Sequence, residues 1–199
     1  DEGRSIQWVD QFGDFPTPVL EDHRLGIQVG WSARGESIGF PTLTKQSLGL
    51  YPVVDDVAWV ERLIPLGINT IQLRIKNPQQ ADLEQQIMRA IELGRQYQAQ
   101  VFINDHWQLA IKHGAYGVHL GQEDIEESNL AQLTKAGIRL GLSTHGYYEL
   151  LRIVQISPSY IALGHIFPTT TKQMPSKPQG LVRLALYQKL IDSMPYGTA

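Results

Sequence analysis

The amino-acid sequence predicts an α/β fold built from repeated strand–helix units, and three observations support this prediction. From Leu48 onwards, short apolar runs alternate with longer stretches of helical periodicity. The short runs are continuously apolar, which is typical of parallel strands buried on both faces. Glycines stand where several helical stretches should end, at positions 67, 94, 114 and 137. The pattern therefore favours a parallel sheet with a crossover helix after each strand.

Six such units can be placed along the chain. The strands are expected over 50–54, 70–75, 100–103, 116–120, 139–142 and 160–163. The helices are expected over 57–66, 80–97, 107–113, 125–135, 147–155 and 181–194. Residues 1–47 are rich in Gly, Pro and charge without a sustained period, so we expect a partly irregular N-terminal extension with a strand near 25–29, followed by one domain over 48–199.

The composition limits the classes of function. The chain has 199 residues, 42% of them hydrophobic, which is enough for the core of one large domain. Seventeen Lys and Arg stand against twenty Asp and Glu, so no positive field favours nucleic acid or a membrane surface. No apolar run reaches the roughly 18 residues that a membrane helix requires. We expect a soluble, cytoplasmic protein with small-molecule partners, and the lack of Cys fits a reducing compartment.

A closed barrel and an open doubly wound sheet both accept this order of elements. A doubly wound dinucleotide-binding fold should carry a Gly-rich turn after its first strand, yet residues 52–58 contain no Gly. Polar residues instead follow nearly every strand, as the active site of an eight-stranded (β/α)8, or TIM, barrel requires. Two of them, Asp105 and Asp124, follow successive strands and predict a single divalent-cation site.

Six segments carry a more specific resemblance. They are Gly49–Asp55, Gln72–Lys76, Phe102–Asp105, Gly117–Asp124, Gly141–His145 and Gly164–Lys172. In order and spacing they resemble the successive strand-end motifs of the thiamine phosphate synthase family, whose fold is a (β/α)8 barrel. The resemblance covers residues 49–199.

The resemblance implies a transferase that joins 4-amino-2-methyl-5-(diphosphooxymethyl)pyrimidine to a thiazole phosphate, giving thiamine phosphate and pyrophosphate. It implies Mg2+ held by Asp105 and Asp124, since Mg2+ in proteins is bound by one or two carboxylates together with phosphate oxygens. Arg74 and Lys76 alternate along one strand and so share a face from which both can reach the diphosphate. Loss of pyrophosphate from an aminopyrimidine methylene needs no general base, and none is assigned.

The remaining roles follow the family motifs. The pyrimidine diphosphate would be held by Gln72, Leu73, Arg74, Ile75, Lys76, Asn104 and Ser143. The thiazole phosphate would be held by the loop residues Thr169, Thr170, Thr171 and Lys172. Lys172, Arg74 and Ser143 are the expected catalytic side chains.

Other interpretations of these residues stay open. Asp105 alone is equally explained as the cap of a helix near His106, and Asp124 as the cap of one at Ile125. Arg74 and Lys76 alone would be side chains snorkelling at a barrel mouth. His119 sits inside an apolar run and is interpreted as a hydrogen-bonded structural residue. The joint presence of both Asp residues and the three cations favours the metal–diphosphate interpretation.

The last predicted helix is followed only by Tyr196–Ala199, where a seventh strand would begin. Six of eight units leave two sheet edges open. In the family, the loops after strands seven and eight add a Gly and a small hydroxyl residue to the thiazole phosphate site. We therefore expect the chain alone either not to catalyse or to cover its edges through strand exchange or a homo-oligomer.

Three other functions are alternatives to the synthase. A thiazole tautomerase shares the barrel but needs no metal-bound diphosphate. A non-catalytic paralogue would bind the pyrimidine diphosphate with Mg2+ and form no product. An unrelated phosphosugar-type barrel would not predict all six motifs together.

Overall fold

The computed structural model describes residues 21–22, 27–28, 39–45, 47–154, 156–169 and 177–193. Two compact units make up the chain. The first, here called the sheet unit, comprises Glu36–Ser143 and Ile156–Ala162. The second unit comprises the described residues within Asp1–Gly35, Thr144–Gln155 and Leu163–Ala199. A domain boundary between residues 47 and 48 stays a prediction.

The main sheet has six parallel strands, arranged side by side in the order in which they occur along the chain. A short antiparallel pair, β1 (Glu21–Asp22) and β2 (Ile27–Gln28), is separate from it. The main strands are β3 (Val53–Val54), β4 (Thr70–Leu73), β5 (Gln100–Asn104), β6 (Gly117–Leu120), β7 (Arg139–Thr144) and β8 (Tyr160–Leu163). Sequential order without a reversal is that of a barrel wall rather than of a doubly wound sheet. The predicted α/β, barrel-type fold is confirmed.

The sheet curls strongly across its width. Tyr51 precedes β3 at one edge and Tyr160 opens β8 at the other, yet their hydroxyl oxygens lie 2.7 Å apart. The ring of Phe102, on a central strand, packs against both tyrosine rings at centroid distances of 5.8 and 5.0 Å. Aromatic side chains therefore fill the concave face and join the first strand to the last.

Helices follow the strands as the periodicity predicts. They are α1 (Val57–Leu63), α2 (Leu83–Tyr97), α3 (Trp107–His113), α4 (Gln122–Glu127), α5 (Leu130–Lys135), α6 (Tyr147–Val154) and α7 (Gly180–Ser193). A 3-10 turn, Ile64–Leu66, extends α1. The single helix predicted over 125–135 is wrong: Ser128 is extended, and the Asn129 side chain caps α5 by accepting the Gln132 N–H.

Glycine follows the ends of three helical segments as predicted, at positions 67, 114 and 137, and one glycine continues a helix. Gly67 and Gly114 adopt left-handed conformations, with φ of 101° and 63°, at the ends of the 3-10 turn and α3. The prediction that Gly94 ends a helix is wrong, because α2 runs on to Tyr97. A Cβ at Gly94 would lie 2.7 Å from Val101 Cγ2, so the missing side chain lets α2 pack closely on β5.

Side chains along the central strands point alternately to two faces of the sheet, and both faces are buried. Ile71, Leu73, Val101 and Ile103 are almost completely buried on the face that packs against the helices. The other face carries polar residues and aromatics that are also buried: Gln72, Gln100, Phe102 and Asn104. Continuous burial of both faces explains the apolar runs in the sequence, and it places amide side chains inside the curl of the sheet.

The second unit has its own hydrogen-bonded framework. Gln179 Nε2 donates to the His145 carbonyl at 2.6 Å, and the Gln179 N–H donates to the His165 carbonyl at 2.7 Å. Leu150 and Ile153 on α6 and Leu186 on α7 are buried. None of the helices in the described ranges is long and apolar enough to cross a membrane.

Candidate active site

The carboxyl end of β4 presents three polar side chains on one face. Gln72 is buried, Arg74 is half-buried and Lys76 is exposed, so the face opens progressively towards solvent. Leu73 and Ile75 occupy the alternate positions and are buried at 1% and 4% exposure. These two residues can therefore contact a ligand only through their main chain. The predicted shared face of Arg74 and Lys76 agrees with this period of two.

The neighbouring strand ends in a strained turn. Asp105, directly after β5, has a φ of 61°, which residues other than Gly rarely adopt and which costs about 1 kcal/mol or more. Its N–H donates to the His119 carbonyl at 3.1 Å, and its carbonyl accepts from the Trp107 N–H at 2.8 Å. Helix α3 begins after His106, and within the described residues no side chain caps its amino end by a hydrogen bond. The capping interpretation of Asp105 therefore does not account for the strain.

The carboxylate of Asp105 stands in an unfavourable environment. Burial raises its pKa, and the negative charge of Asp124 raises it further, while the positive charge of Lys76 and the hydrogen bond from Lys76 partly offset the rise. The ion pair with Lys76 is long, with Nζ and Oδ2 3.5 Å apart, and the Lys76 side chain is 58% exposed. The two predicted metal ligands are thus near enough for their charges to interact.

Asp124 has a capping role as well. It is the third residue of α4, and its Oδ2 accepts the Gly121 N–H at 3.0 Å. The interpretation of Asp124 as the cap of a helix at Ile125 is therefore wrong, because the helix starts at Gln122 with Gly121 as its N-cap, and Asp124 supports that cap from inside the helix. Because a carboxylate offers about four lone-pair directions, one capping bond leaves capacity for a cation.

The donor set fits Mg2+ bound partly by substrate. Within the described ranges, no group of three or more His, Cys, Asp or Glu side chains is placed to hold a metal ion. A pair of carboxylates is sufficient for Mg2+, which keeps waters and takes phosphate oxygens as its other ligands. A cation between Asp105 and Asp124 would also remove the repulsion that raises the Asp105 pKa.

His119 holds Ser143 in place. The Nε2 atom of His119 lies 2.7 Å from Ser143 Oγ, and its Nδ1 atom lies 2.6 Å from the Tyr160 hydroxyl. The imidazole also stacks on the Tyr160 ring at a centroid distance of 5.6 Å. Burial, together with the positive charge of Arg74, lowers the pKa of His119 to about 4, so the ring is neutral at pH 7. The predicted hydrogen-bonded role of His119 is confirmed, and its partner is a predicted site residue.

Two tyrosines extend this arrangement to Gln72. The Tyr160 hydroxyl lies 2.7 Å from the Tyr51 hydroxyl, which accepts from Gln72 Nε2 at 3.2 Å. Burial raises the pKa of both phenols, so neither ionises near neutral pH. Gly141 leaves the room for Tyr160, because a Cβ there would overlap the tyrosine ring. We did not predict Tyr51 or Tyr160 from the sequence, and the Gly opposite a strand-initial Tyr is the signal that could have indicated them.

The predicted thiazole phosphate segment is described only at its first residue. Thr169 is exposed and lies in the second unit. Thr170, Thr171 and Lys172 lie outside the described residues, so their roles stay predictions. Gln72, Arg74, Lys76, Asn104, Asp105, Asp124 and Ser143 all lie in the sheet unit. Lys76 pairs with Asp105, and Asn104 and Ser143 both hydrogen-bond to His119, while the shared site of the whole set stays a prediction.

Comparison with protein families gives one consistent result. The family model for thiamine monophosphate synthase matches residues 50–197. A thiamine-phosphate synthase of Yersinia pestis (strain Pestoides F) is 61% identical over 157 residues, which are 79% of this chain and 73% of that protein. One from Proteus mirabilis (strain HI4320) is 64% identical over 138 residues, which are 69% of this chain and 64% of that protein.

A solved structure agrees with these relatives. The thiamine phosphate pyrophosphorylase from Pyrococcus furiosus superposes with a TM-score of 0.61 and 27% sequence identity. The match covers 75% of this chain and 72% of that protein.

Proposed function

Since the chain belongs to the thiamine monophosphate synthase family, we propose that its site joins 4-amino-2-methyl-5-(diphosphooxymethyl)pyrimidine to a thiazole phosphate. The products are thiamine phosphate and pyrophosphate. The observation that carries this proposal is the ion pair of Lys76 with Asp105 after adjacent strands, at 3.5 Å, together with the rise that the charge of Asp124 causes in the Asp105 pKa. Within the described residues, no observation favours the tautomerase or the phosphosugar-type barrel, and the test below separates the synthase from the non-catalytic paralogue.

The reaction places its main demand on the leaving group. The bond between the pyrimidine methylene and the diphosphate oxygen breaks with its electron pair on oxygen, and the thiazole nitrogen supplies the pair for the new carbon–nitrogen bond. The aminopyrimidine ring stabilises the positive charge that develops on the methylene. The protein must therefore neutralise the departing diphosphate, and preorganised positive charges do this most effectively.

Arg74 and Lys76 are suited to bind that diphosphate. Their charges act on the site, since Arg74 lowers the pKa of His119 and Lys76 opposes the rise in the pKa of Asp105. Arg74 can bind phosphate oxygens in a bidentate manner, whereas Lys76 acts as a point charge. Lys172 would add a third cation from the loop after β8, as the family motif implies.

Asp105 and Asp124 would hold Mg2+. When bound, the ion would draw negative charge from the diphosphate oxygens, and the diphosphate would then be a better leaving group. The left-handed turn at Asp105 fixes the backbone that carries this carboxylate before any ligand arrives, which would reduce the ordering required on binding.

The pyrimidine would lie against the buried amides. Asn104 Nδ2 donates to the His119 carbonyl at 3.3 Å, while Asn104 Oδ1 has no hydrogen-bond partner within the described chain. That oxygen can accept from the exocyclic amine of the substrate. Gln72 is fixed by its bond to Tyr51, and Ser143 by its bond to His119. Thr169, Thr170 and Thr171 would bind the thiazole phosphate, and we expect the reaction to take place in the cytoplasm.

The proposal is tested by direct product detection. The purified chain is incubated with both substrates, with Mg2+ or with EDTA, and thiamine phosphate and pyrophosphate are quantified by chromatography. When strand exchange or a homo-oligomer covers the open sheet edges, we expect both products in equal amounts, and only when Mg2+ is present. Binding of the pyrimidine diphosphate without product would favour the non-catalytic paralogue, and the absence of both binding and product would contradict the proposal.

A further inference from the structure

A continuous series of hydrogen bonds crosses the concave face of the sheet. It runs from Gln72 Nε2 to the Tyr51 hydroxyl (3.2 Å), then to the Tyr160 hydroxyl (2.7 Å), then to His119 Nδ1 (2.6 Å), and from His119 Nε2 to Ser143 Oγ (2.7 Å). The series begins and ends at residues expected to contact the pyrimidine diphosphate. The three residues between them have no assigned role in the reaction.

The two ends of the series are not equivalent, because Gln72 Nε2 can only donate its hydrogen bond. Its amide nitrogen carries hydrogens and no acceptor lone pair, so the Tyr51 oxygen must accept there. Tyr51 can then pass its own proton to the Tyr160 oxygen. Tyr160 in turn donates to His119 Nδ1, which leaves the imidazole proton on Nε2. In this direction each hydroxyl accepts one hydrogen bond and donates one.

The opposite direction satisfies fewer groups. If His119 Nδ1 carried the proton, it would donate to Tyr160, and Tyr160 would donate to Tyr51. Tyr51 would then accept from both Gln72 and Tyr160, and its own proton would have no acceptor in the series. A buried donor without an acceptor is unfavourable, so the first direction is preferred.

We propose that Tyr160 and Tyr51 are positioning residues that fix the His119 proton on Nε2, so that the Ser143 hydroxyl donates its own proton to the pyrimidine diphosphate. His119 Nε2–H donates to Ser143 Oγ, and the serine proton is therefore directed away from the imidazole. The acceptor on the ligand is a ring nitrogen or an oxygen of the departing diphosphate. The identity of this ligand rests on the proposed function.

The direction of the series matters because a serine hydroxyl can act as donor or acceptor. With the His119 proton on Nδ1, Ser143 would donate to Nε2 and would offer the ligand only lone pairs. A diphosphate carries acceptors and no donors, so a lone pair facing it would be repelled. The tyrosine pair thus determines whether Ser143 attracts or repels the negative end of the substrate.

The first test observes the proton itself. Nitrogen-15 NMR of histidine-labelled wild-type protein at neutral pH distinguishes the two neutral tautomers, and the His119 signals are assigned by their loss in His119→Asn. We expect the Nε2–H tautomer in the wild type and a shift towards Nδ1–H in Tyr160→Phe. An Nδ1–H tautomer in the wild type would overturn the proposal. This result does not depend on catalysis.

The second test measures ligand binding with a matched control. Tyr160→Phe removes the hydroxyl but keeps the ring that packs on Phe102. Tyr116→Phe is the matched control, because it also removes a hydrogen-bonded hydroxyl and keeps a ring that packs on Phe102, at a centroid distance of 5.5 Å. Calorimetric titration with the pyrimidine diphosphate and Mg2+ should give about a tenfold weaker Kd for Tyr160→Phe, the size expected for an outer positioning bond. Tyr116→Phe should bind as the wild type does, within about twofold.

The two variants also separate this proposal from the proposed function. Equal affinity of Tyr160→Phe and wild type would overturn the positioning role. Normal binding by the wild type without formation of thiamine phosphate would count against the proposed function and leave the positioning role supported. Equal weakening by Tyr116→Phe would indicate a general effect on folding and would contradict a role specific to Tyr160.

Discussion

Strand β5 carries an amide at each end of one face, and the two amides differ in how completely they are bonded. At the amino end, Gln100 Nε2 donates to Thr70 Oγ1 at 3.0 Å, and Gln100 Oε1 accepts from the Tyr116 hydroxyl. At the carboxyl end, Asn104 Nδ2 donates to a carbonyl, while Asn104 Oδ1 lacks a partner within the described residues. Phe102 separates them. Gln100 therefore stabilises the fold, whereas Asn104 keeps an acceptor for a ligand.

The same contrast extends across the two ends of the sheet. Around the amino end, Arg95 Nη2 donates to the His113 and Gly114 carbonyls, and Arg139 stacks over the Tyr116 ring at 4.2 Å. A pocket of about 540 Å³ lies at this end, away from the paired carboxylates. The carboxyl end instead holds Asp105, whose pKa is raised by burial and by the charge of Asp124. Backbone strain does not distinguish the two ends, because Gln98 before β5 and Ser157 before β8 also have positive φ values, both 53°.

The largest expected effect is the loss of turnover when the charge of Asp105, at the carboxyl end of the sheet, is removed. Asp105→Asn keeps the shape of the side chain and a residue type that tolerates the left-handed backbone, but it removes one of the two negative charges. We expect turnover to fall about 100-fold or more, the size of losing one preorganised electrostatic contact. The exposed Asp192→Asn on α7 is the matched control and should leave turnover unchanged. Comparable rates for the two variants would contradict the metal role of Asp105.

The next effect concerns pH and the buried His119. Its pKa is about 4 in the folded chain against 6.5 for an ordinary histidine, so between these values the unfolded chain binds more protons. Stability is therefore fully present above pH 6.5 and is lost as the pH falls to 4, by up to about 3 kcal/mol. Urea unfolding measured across this pH range should show the loss. In His119→Asn, the free energy of unfolding should fall less steeply as the pH is lowered. A slope unchanged in that variant would assign the loss to other groups.

The sequence predicted the parts of this contrast that follow from local periodicity. A period of two along residues 72–76 predicts a shared face for Arg74 and Lys76, and successive parallel strands predict that Asp105 and Asp124 lie at one edge of the sheet. It did not predict the tyrosine pair, because Tyr51 and Tyr160 are 109 residues apart and meet only through the curl of the sheet. It also missed the break between α4 and α5, where Asn129 caps a second helix inside one helical pattern.

A smaller effect is expected from two lysines with similar surroundings. Lys76 and Lys112 are each about 60% exposed, at 58% and 62%, and each pairs with a carboxylate from another element. Lys76→Ala should raise the KM for the pyrimidine diphosphate about tenfold, because a charge contact to the diphosphate is lost. Lys112→Ala removes an exposed ion pair worth about 0–1 kcal/mol and should not change KM. Steady-state kinetics on both variants measure the two KM values. Equal KM values for Lys76→Ala and Lys112→Ala would contradict a diphosphate contact by Lys76.

The smallest effect runs in the opposite direction. Because burial and Asp124 raise the pKa of Asp105, its charged form destabilises the fold when no metal is bound. Asp105→Asn should therefore unfold at a slightly higher temperature than wild type in EDTA, by about 0.5 kcal/mol in stability. Calorimetric scans of both proteins measure this. A lower midpoint for the variant would mean that Asp105 serves the fold and not the ligand.

The central claim is that the paired carboxylates bind Mg2+ together with the pyrimidine diphosphate. Isothermal titration of the pyrimidine diphosphate into wild type, Asp105→Asn and Asp124→Asn, with Mg2+ and with EDTA, tests it most directly. We predict binding by the wild type that requires Mg2+ and is weakened to the EDTA level in each variant. Equally tight binding in EDTA, or Mg2+-dependent binding that survives both substitutions, would contradict the claim.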